Sequence, residues 1–506
     1  MAADAARSLE DLCRAFLAQT QSELEMRFGT RGRPVDRLAF DRIVSKLKAA
    51  GFTAGHTEHM LRIQTEYFDP RTGIQKLSNV RTTIKGVGAI QAYCKTGVIT
   101  EGERNEPRSS VTFEQKRAFK EQEGEPSKPV DMDEWNIRVS LQREEVLDTK
   151  DGRVRQVLSD WASVRKVFRL IHRTSFTHSS YPISVDMSVV RSSARNKRGR
   201  MLPVQTYTEA RLNDQAEQFE VELEALRYQV GDATGLARAF RSVSKTVLSA
   251  IQNSNYPIPS TLQNKVAKAY YASVNGGEPS GFIRARDFIG PSSVSLELPN
   301  ISEGSGAKVS VLEDYAVTDK ADGLRKLLYV GDKGRIYLLD TNMNVQFSGL
   351  FTTDEWIGTI IDGEHIIHDK FGNYLDAYAA FDCYFFKGDD VRKEPLVSGD
   401  GADGRLKRLS TVVSGLNPKP VVDGTQPMRI SRKAFYAGGN IFANCSKVAK
   451  AIAEGAFEYE TDGLMLTPVS LGVGMDSQEG SPPNRKRTWA RSFKWKPPEQ
   501  NTIDFL

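Results

Sequence analysis

Two short stretches in which acidic and apolar residues alternate constrain the fold of this chain more than any other feature. They read SELEMRF (22–28) and FEVELEA (219–225). Because the side chains of a β-strand alternate between its two faces, each stretch predicts a strand with one acidic and one apolar face. The acidic residues are Glu23 and Glu25 in the first stretch, and Glu220, Glu222 and Glu224 in the second.

The acidic faces are better explained by a closed, charged interior than by a sheet surface in water. Glutamate is depleted in strands, and like charges on one face repel each other unless a cation lies among them. Strand-like segments between the two stretches add basic residues on one face, as with Arg169 and Arg173, and Arg138 lies on the same face as Glu144. Clustered carboxylates suit Mg²⁺ or Mn²⁺, while arginines and lysines suit phosphates. A solvent-facing amphipathic sheet is the alternative.

The rest of the chain predicts two ordered parts joined by a helical region. Apolar spacing predicts a helix in the first twenty residues and one more over 37–51, among many short strand-like segments up to about residue 225. Residues 232–272 have a helical pattern, and strands alternate with helices from there to the end. We therefore expect domains at 1–230 and 281–506 with a helical linker region at 231–280.

The paired E-x-E strands with basic strands between them resemble the triphosphate tunnel metalloenzymes, and among these the RNA 5′-triphosphatases of fungal and large-DNA-virus type. The resemblance covers roughly residues 15–230 and implies a β-barrel tunnel. It implies that Glu23, Glu25, Glu222 and Glu224 hold a divalent metal with Glu220 in support, and that Glu144 orients water. It further implies that the triphosphate is bound by Arg81, Lys116, Arg138, Arg169 and Arg173.

A second set of motifs lies in the last 230 residues of the chain. KADGLR (320–325) alone is also what a surface turn looks like, since Asp-Gly is a common turn dipeptide. Four further segments follow it in order: IIDGEHII, AYAAFDCYFF, ETDGLMLTP and FKWKP. They contain, respectively, Glu364, Phe381 with Asp382, Asp462, and the pair Lys494 and Lys496.

These five ordered segments resemble motifs I, III, IIIa, IV and V of the covalent nucleotidyltransferases, which include capping guanylyltransferases and polynucleotide ligases. The resemblance implies that Lys320 is the nucleophile, and that GTP is bound by Arg325, Glu364, Phe381, Asp462, Lys494 and Lys496. An amine attacks a phosphate only when it is deprotonated, while a free lysine has a pKa of about 10.4. Nearby cations and a partly desolvated pocket are expected to ease that deprotonation.

The combination of the two resemblances favours a bifunctional capping enzyme of large-DNA-virus type. Its expected fold class is α+β: an N-terminal β-barrel tunnel followed by a mixed α/β nucleotidyltransferase domain. The expected reaction removes the γ-phosphate of 5′-triphosphate RNA and then transfers GMP from GTP through a lysyl-GMP intermediate. The tail KWKPPEQNTIDF also resembles the motif V region of guanylyltransferases. An ATP-dependent ligase with a lysyl-AMP intermediate, and a non-catalytic RNA- or polyphosphate-binding scaffold, stay as alternatives.

The segment that resembles motif V stands about ten residues before Leu506, whereas guanylyltransferases continue from motif V into an OB-fold. We therefore expect the C-terminal OB-fold to be absent from this chain. A cap methyltransferase domain or subunit is an expected partner. EGSGAK (303–308) lacks the spacing of a phosphate-binding loop and is expected to be a linker.

Composition bounds the cellular setting. The sequence has no apolar run of membrane-spanning length and no signal-peptide pattern at its start. Its four cysteines are scattered, which fits a reducing compartment. We therefore expect an intracellular protein without membrane partners, not secreted, in the host cytoplasm or virion if it is viral. Net charge is only +5, but RSSARNKRGR (191–200) and NRKR (484–487) are concentrated basic clusters.

Overall fold

The computed structural model describes residues 3–99, 110–118, 128–229, 231–302, 309–398 and 404–500. The chain divides into two compact units, Met1–Asn253 and Ser254–Leu506. The predicted helical region 231–280 is therefore shared between them, because one of its helices belongs to each unit. The functional domain ranges stay predictions.

The first unit is built around a long set of antiparallel strands. Its strands are β1 Ser22–Phe28, β2 Thr53–Ala54, β3 Glu58–Asp69, β4 Ile74–Leu77, β5 Val80–Lys85, β6 Val111–Ala118, β7 Val130–Met132, β8 Ile137–Leu147, β9 Lys166–His178, β10 Tyr181–Ser192 and β11 Gln218–Ala225. Its helices are α1 Ala3–Ala18, α2 Arg37–Ala49, α3 Val87–Thr96, α4 Gly152–Ser159, α5 Tyr207–Ala210 and α6 Ala233–Ile251.

Eight of these strands close into a barrel. The order is β9-β10-β11-β1-β8-β6-β5-β3, and β3 pairs again with β9 to complete the ring. Every pairing around the ring is antiparallel. The predicted β-barrel is confirmed.

Packing on the outside of the barrel decides which face of each strand points inward. Leu24, Met26 and Phe28 of β1 are buried in one core cluster with residues of α1, α2 and α6. On β11, Val221 and Leu223 belong to the same cluster. The alternating glutamates of both strands must therefore face the barrel interior.

The first unit contains more helix than the sequence analysis predicted. Helices α1 and α2 were expected, but α3, α4 and α5 interrupt a region that was expected to be strands and connections. Ile90 and Tyr93 of α3 and Val154 of α4 cover a second outer cluster of the barrel. Short helices with so few buried residues give a weak periodic signal in sequence.

The second unit consists of two sheets with helices around them. Its strands are β12 Ser292–Ser295, β13 Tyr315–Ala321, β14 Leu324–Val330, β15 Arg335–Asp340, β16 Val345–Phe351, β17 Ile360–His368, β18 Tyr374–Phe386, β19 Asp389–Asp390, β20 Lys419–Pro420, β21 Arg429–Arg432, β22 Tyr436–Ala437, β23 Thr461–Pro468 and β24 Thr488–Trp495. Its helices are α7 Ser260–Asn275, α8 Leu298–Ile301, α9 Arg405–Gly415 and α10 Ile441–Ala453.

The K-x-D-G turn is the point at which the chain passes from one sheet to the other. The smaller sheet has the order β12-β24-β23-β13-β22, and the larger has the order β19-β18-β17-β14-β15-β16-β20 with β21 beside β18. Lys320 is near the end of β13 and Arg325 is near the start of β14. The fold class is α+β, as predicted. No helix in the described ranges is long and apolar enough to cross a membrane.

Candidate functional site

Strand register places the acidic residues of β1 and β11 side by side inside the barrel. Glu25 lies directly opposite Glu224, and Arg27 lies opposite Glu222. Glu25 is buried, and the others are half-buried. The structure therefore brings the two alternating acidic stretches together, although nearly 200 residues separate them in the chain.

Basic side chains lie among these carboxylates. The ammonium of Lys116, on β6, contacts Glu23 at 3.0 Å and also contacts Glu25. Arg27 contacts Glu25 at 3.1 Å and Glu222 at 2.9 Å. These contacts satisfy the carboxylates from within the barrel itself.

Arginines of β9 also face this interior. Arg169 donates to Glu220 at 2.6 Å. Arg173 reaches Glu222 at 3.2 Å and Asp186 at 3.0 Å. The predicted phosphate-binding arginines of this strand are thus inside the barrel and already held in place by acids.

Three glutamates of the barrel interior have shifted pKa values. Burial and a hydrogen bond shared with Glu23 raise the pKa of Glu144 to about 8. The pKa of Glu23 is lowered overall. Burial acts to raise it, but the hydrogen bonds from Glu144 and Lys116 outweigh burial. Burial, followed by the charges of Glu23 and Asp186, raises the pKa of Glu224 to about 7. The interior therefore holds protons that a bound cation would displace.

Arg62 and Asp186 are charged residues of the interior that were not predicted from the sequence. Arg62 of β3 lies opposite Arg169, and burial with the charges of Arg81 and Arg169 lowers its pKa. Asp186 is buried opposite Glu222. Arg138 lies opposite Arg27 in the β1–β8 pairing, pairs with Asp131 of the short β7 at 2.7 Å, and is more than a third exposed. Its contact with phosphate stays a prediction.

The acidic residues fit a divalent cation in chemistry but are not arranged around one. Within the described ranges, no three His, Cys, Asp or Glu side chains are close enough together to hold a metal. Lys116 lies between Glu23 and Glu25 and takes the place of a cation. All-oxygen donors suit a hard ion. The raised pKa values of Glu144 and Glu224 show that too little positive charge lies near these carboxylates to keep them ionised. Glu23, Glu25, Glu222 and Glu224 are the candidate ligands.

In the second unit, one carboxylate joins the two predicted lysine segments. The Nζ atom of Lys320 lies 2.6 Å from Oδ1 of Asp462, and the Nζ atom of Lys496 lies 2.6 Å from Oδ2. Gly463 makes this geometry possible because a Cβ there would lie 1.9 Å from the carbonyl oxygen of Trp495. Burial raises the pKa of Asp462, but the hydrogen bonds from both lysines outweigh it, and the pKa is lowered.

Arg325 forms a second cluster at the start of β14. Its Nη2 atom donates to Asp362 at 2.5 Å, and its Nη1 atom donates to the carbonyl of Pro291 at 2.6 Å. The guanidinium carbon lies 5.6 Å from the ring centre of Phe381 and 5.7 Å from that of Phe288. Phe381 is only half-buried, so its ring offers an apolar surface next to a cation.

Glu364 is a largely buried carboxylate with an unused acceptor. It lies opposite Arg325 in the β14–β17 pairing. Its Oε2 atom is buried, and no described residue hydrogen-bonds to it. Burial raises the pKa of Glu364 to about 7 despite the neighbouring charges of Arg325, Lys433 and Lys320. An unpaired buried acceptor of this kind suits a hydroxyl or amino group of a ligand.

Lys433 is a buried cation that the sequence analysis did not identify. It contacts the carboxylate of Asp319 at 3.0 Å, and Tyr459 donates to the same carboxylate at 3.1 Å. Asp319 directly precedes Lys320, so this buried cluster fixes the strand that carries the lysine. Its signal in sequence was only an isolated lysine after β21, which no pattern distinguishes from a surface residue.

Lys494 differs from Lys496 in its surroundings. It is exposed on β24, opposite Met465, and lines a cleft with Ser295, Glu297 and other residues near the edge strand β12. The predicted contact of Lys494 with phosphate stays a prediction. The NTID segment at 501–504 and the predicted linker at 303–308 lie outside the described residues.

The fold and these side chains define a protein with a barrel lined by charges and a two-sheet unit in which one carboxylate binds two lysines from distant segments. Residues 244–498, which are 255 of the 506, match the family described as mRNA capping enzyme, catalytic domain. The chain belongs to this family.

Individual relatives agree with the family match. The chain is 26% identical over 234 residues to a probable mRNA-capping enzyme of Acanthamoeba polyphaga mimivirus, covering 38% of this chain and 19% of the relative. It is 26% identical over 276 residues to the mRNA-capping enzyme subunit alpha of Kluyveromyces lactis, covering 49% and 52%. The chain thus spans from about a fifth to about half of the length of these relatives.

A solved structure resembles part of the chain more distantly. It is the RNA triphosphatase domain of a trifunctional mimivirus mRNA capping enzyme, with 16% identity and a TM-score of 0.33, covering 49% of this chain and 99% of that one. The barrel of the first unit is established by its own strand pairing.

Proposed function

We propose that the chain forms the 5′ cap of mRNA, and that its second unit transfers GMP from GTP through Lys320. The observation that carries this proposal is the pairing of Lys320 and Lys496 with Asp462, which joins two distant motifs in one site. Neutral Nζ of Lys320 attacks the α-phosphorus of GTP, the bond to the bridging oxygen breaks, and pyrophosphate leaves. A terminal oxygen of diphosphate-ended RNA then attacks the same phosphorus, and the P–N bond breaks to regenerate the amine.

The remaining residues of the second unit are assigned by their chemistry. Phe381 stacks on the base, while Arg325 and the unpaired Oε2 atom of Glu364 bind the ribose. Lys496 and Lys494 bind the phosphates and offset the negative charge that develops on them. Asp462 holds the side chains of Lys320 and Lys496 close together before GTP binds. The family match supports guanylate rather than adenylate as the transferred group.

For the first unit we propose removal of the γ-phosphate from 5′-triphosphate RNA inside the barrel. Arg81, Lys116, Arg169 and Arg173 bind the phosphate chain, and Glu144, with its pKa raised to about 8 by burial and by Glu23, holds and releases a proton near neutral pH. Mg²⁺ or Mn²⁺, held by Glu23, Glu25, Glu222 and Glu224, would supply charge neutralisation for the phosphate. Lys116 is then free to bind phosphate instead of Glu25. This function fits the intracellular setting expected from the sequence, in the host cytoplasm or virion if the protein is viral.

The guanylyltransferase proposal is tested by covalent labelling. With [α-³²P]GTP and a divalent ion, the chain should gain a label that survives denaturation. Lys320→Met should abolish it, while Lys447→Met, at an exposed position of α10, should not. Labelling by ATP in place of GTP would support the ligase alternative. Labelling of the Lys320→Met variant at the normal level would refute the assignment.

The triphosphatase proposal is tested by phosphate release from γ-labelled triphosphate RNA. Glu222→Gln should abolish release because it removes a charge from the barrel interior. Glu145→Gln is the matched control, since Glu145 is next to Glu144 but on the opposite face of β8, paired with Arg153. Equal activity of both variants would contradict the site.

A further inference from the structure

A compact basic hairpin, residues 195–200, follows β10 in the first unit. Hydrogen bonds within the segment give it a defined turn conformation. Arg195 and Met201 form an isolated bridge, and the amide of Leu202 donates to the carbonyl of Ala194 at 2.7 Å. The side chain of Asn196 accepts from the amides of Arg198 and Arg200 at 2.9 and 3.1 Å. The backbone of the turn is therefore held by its own hydrogen bonds, and it presents these side chains together on the surface.

The charges of this hairpin are unbalanced. Arg195, Lys197, Arg198 and Arg200 are all exposed, and none has an acidic partner among the described residues. Arg191, just before the hairpin, is different because it pairs with Glu217 at 3.1 Å. Four like charges on six residues repel each other, so the arrangement favours a partner that supplies several negative charges in a row.

The hairpin is connected to the strand ends next to the charged interior. Ser192 of β10 lies opposite Arg169, whose guanidinium bonds to Glu220 inside the barrel. The chain that follows the hairpin is anchored to the start of β9 by an isolated bridge between Val204 and Lys166. The basic hairpin thus extends from the end of the barrel at which Arg169 is found.

We propose that the basic hairpin binds the phosphates of single-stranded RNA whose 5′ end has entered the barrel. This inference rests on the proposed triphosphatase function. In the proposed reaction the 5′-triphosphate end binds the basic side chains inside the barrel, and the nucleotides that follow it leave the barrel at one of its ends. Arginine and lysine bind backbone phosphates without reading sequence.

The test is a quadruple variant of the full chain: Arg195→Gln, Lys197→Gln, Arg198→Gln and Arg200→Gln. The probe is a single-stranded RNA oligonucleotide with a 5′-hydroxyl, measured by fluorescence anisotropy across a series of salt concentrations. Each lost phosphate contact reduces the slope of log K against log salt by about 0.7. Four contacts correspond to a slope smaller by about 3, and hydrolysis of inorganic tripolyphosphate should be unchanged.

The control variant removes the same charge from exposed positions on the outer helices: Lys48→Gln, Arg155→Gln, Arg238→Gln and Lys245→Gln. It should keep the wild-type salt slope. The proposal is overturned if both variants bind RNA alike, if the hairpin variant loses tripolyphosphate hydrolysis, or if it loses only binding to anionic phospholipid vesicles or acidic peptides. A wild-type chain that binds RNA through the hairpin but hydrolyses no triphosphate would refute the proposed function alone.

Discussion

At the scale of single residues, Asp462 is the one on which the second site depends. Its two oxygens each lie 2.6 Å from a lysine nitrogen, so one negative charge lies between two positive ones. Asn at this position keeps the shape and removes the charge. The two ammonium groups would then repel each other and move apart.

We therefore expect Asp462→Asn to reduce covalent labelling by [α-³²P]GTP by about 100-fold or more, the range seen when an electrostatic group is removed from an active site. GTP affinity, measured separately by equilibrium dialysis, should change much less, because Lys496 becomes free to bind phosphate. Asp476→Asn, which breaks an exposed pair with Arg487, serves as the control. Labelling at the wild-type rate would show that Asp462 does not align the nucleophile.

Glu144 gives the barrel a pH dependence with a definite sign. The pKa of Glu144 is raised from 4.5 to about 8 in the folded chain by burial and by Glu23. Between these values the folded chain holds a proton that the unfolded chain has lost, so the free energy of unfolding falls as the pH rises. Glu224, with a pKa raised to about 7, acts in the same direction.

Without divalent ions, the melting temperature of the barrel should fall between about pH 5 and about pH 8. Glu144→Gln should reduce that fall, because glutamine has no proton to lose. Glu145→Gln should leave it unchanged, since the hydrogen bond from Arg153 lowers the pKa of Glu145 and moves its titration below this window. A fall of the same size in Glu144→Gln would show that another group is responsible.

At the scale of elements, the pairing of β23 with β24 brings the end of the chain to the lysine site. Gly463 has a φ of +147°, and a Cβ there would lie 1.9 Å from the carbonyl oxygen of Trp495. Gly463→Ala must therefore push β24 away and separate Lys496 from Asp462. We expect loss of GTP labelling, with far-ultraviolet circular dichroism nearly unchanged because both sheets persist.

The control for this variant is Gly277→Ala. Gly277 has no neighbouring atom within 4 Å of an added Cβ, and its φ is not positive. It should label like the wild type. Normal labelling of Gly463→Ala would mean that close approach of these two strands is not needed.

How much of each element the sequence predicts depends on whether its signal is local. Alternation in β1 and β11 predicted both strands and their inward faces. The same alternation was present around Asp186, where Ser184, Asp186 and Ser188 face the interior, and around Arg62, between the buried Leu61 and Ile63. Asp186 and Arg62 were not predicted as interior residues, because only the register of neighbouring strands shows which charged side chains lie next to each other in the barrel.

Helices and isolated residues mark the limit of that prediction. Helix α3 has only Ile90 and Tyr93 as buried residues, too few for a clear helical period. Lys433 became recognisable only through its contact with Asp319, which is 114 residues away in the chain. Arg138 lies opposite Arg27 in the β1–β8 pairing, but its ion pair with Asp131 was not visible in the sequence because β7 is only three residues long.

At the scale of the whole molecule, each unit has its own hydrophobic core and its own site. The clusters of the first unit draw on residues between Leu9 and Ile251, and those of the second draw on residues between Ile258 and Phe493. The charged barrel interior belongs to the first unit, and the Lys320–Asp462–Lys496 cluster belongs to the second. A ligand of one site should therefore stabilise the unit that contains it.

Calorimetry of the full chain should reveal this division. GTP without divalent ion should raise the unfolding transition of the second unit, and tripolyphosphate with Mn²⁺ should raise that of the first, each by about 2.7 kcal/mol when the free ligand is at 100 times its Kd. Lys496→Ala should remove only the GTP effect, because it deletes a phosphate-binding cation of the second unit. Arg173→Ala should remove only the tripolyphosphate effect, because it deletes a phosphate-binding cation of the barrel. Without a ligand, this cation pairs with Asp186 and Glu222. If either variant lost both effects, the two sites would not act as separate ligand sites.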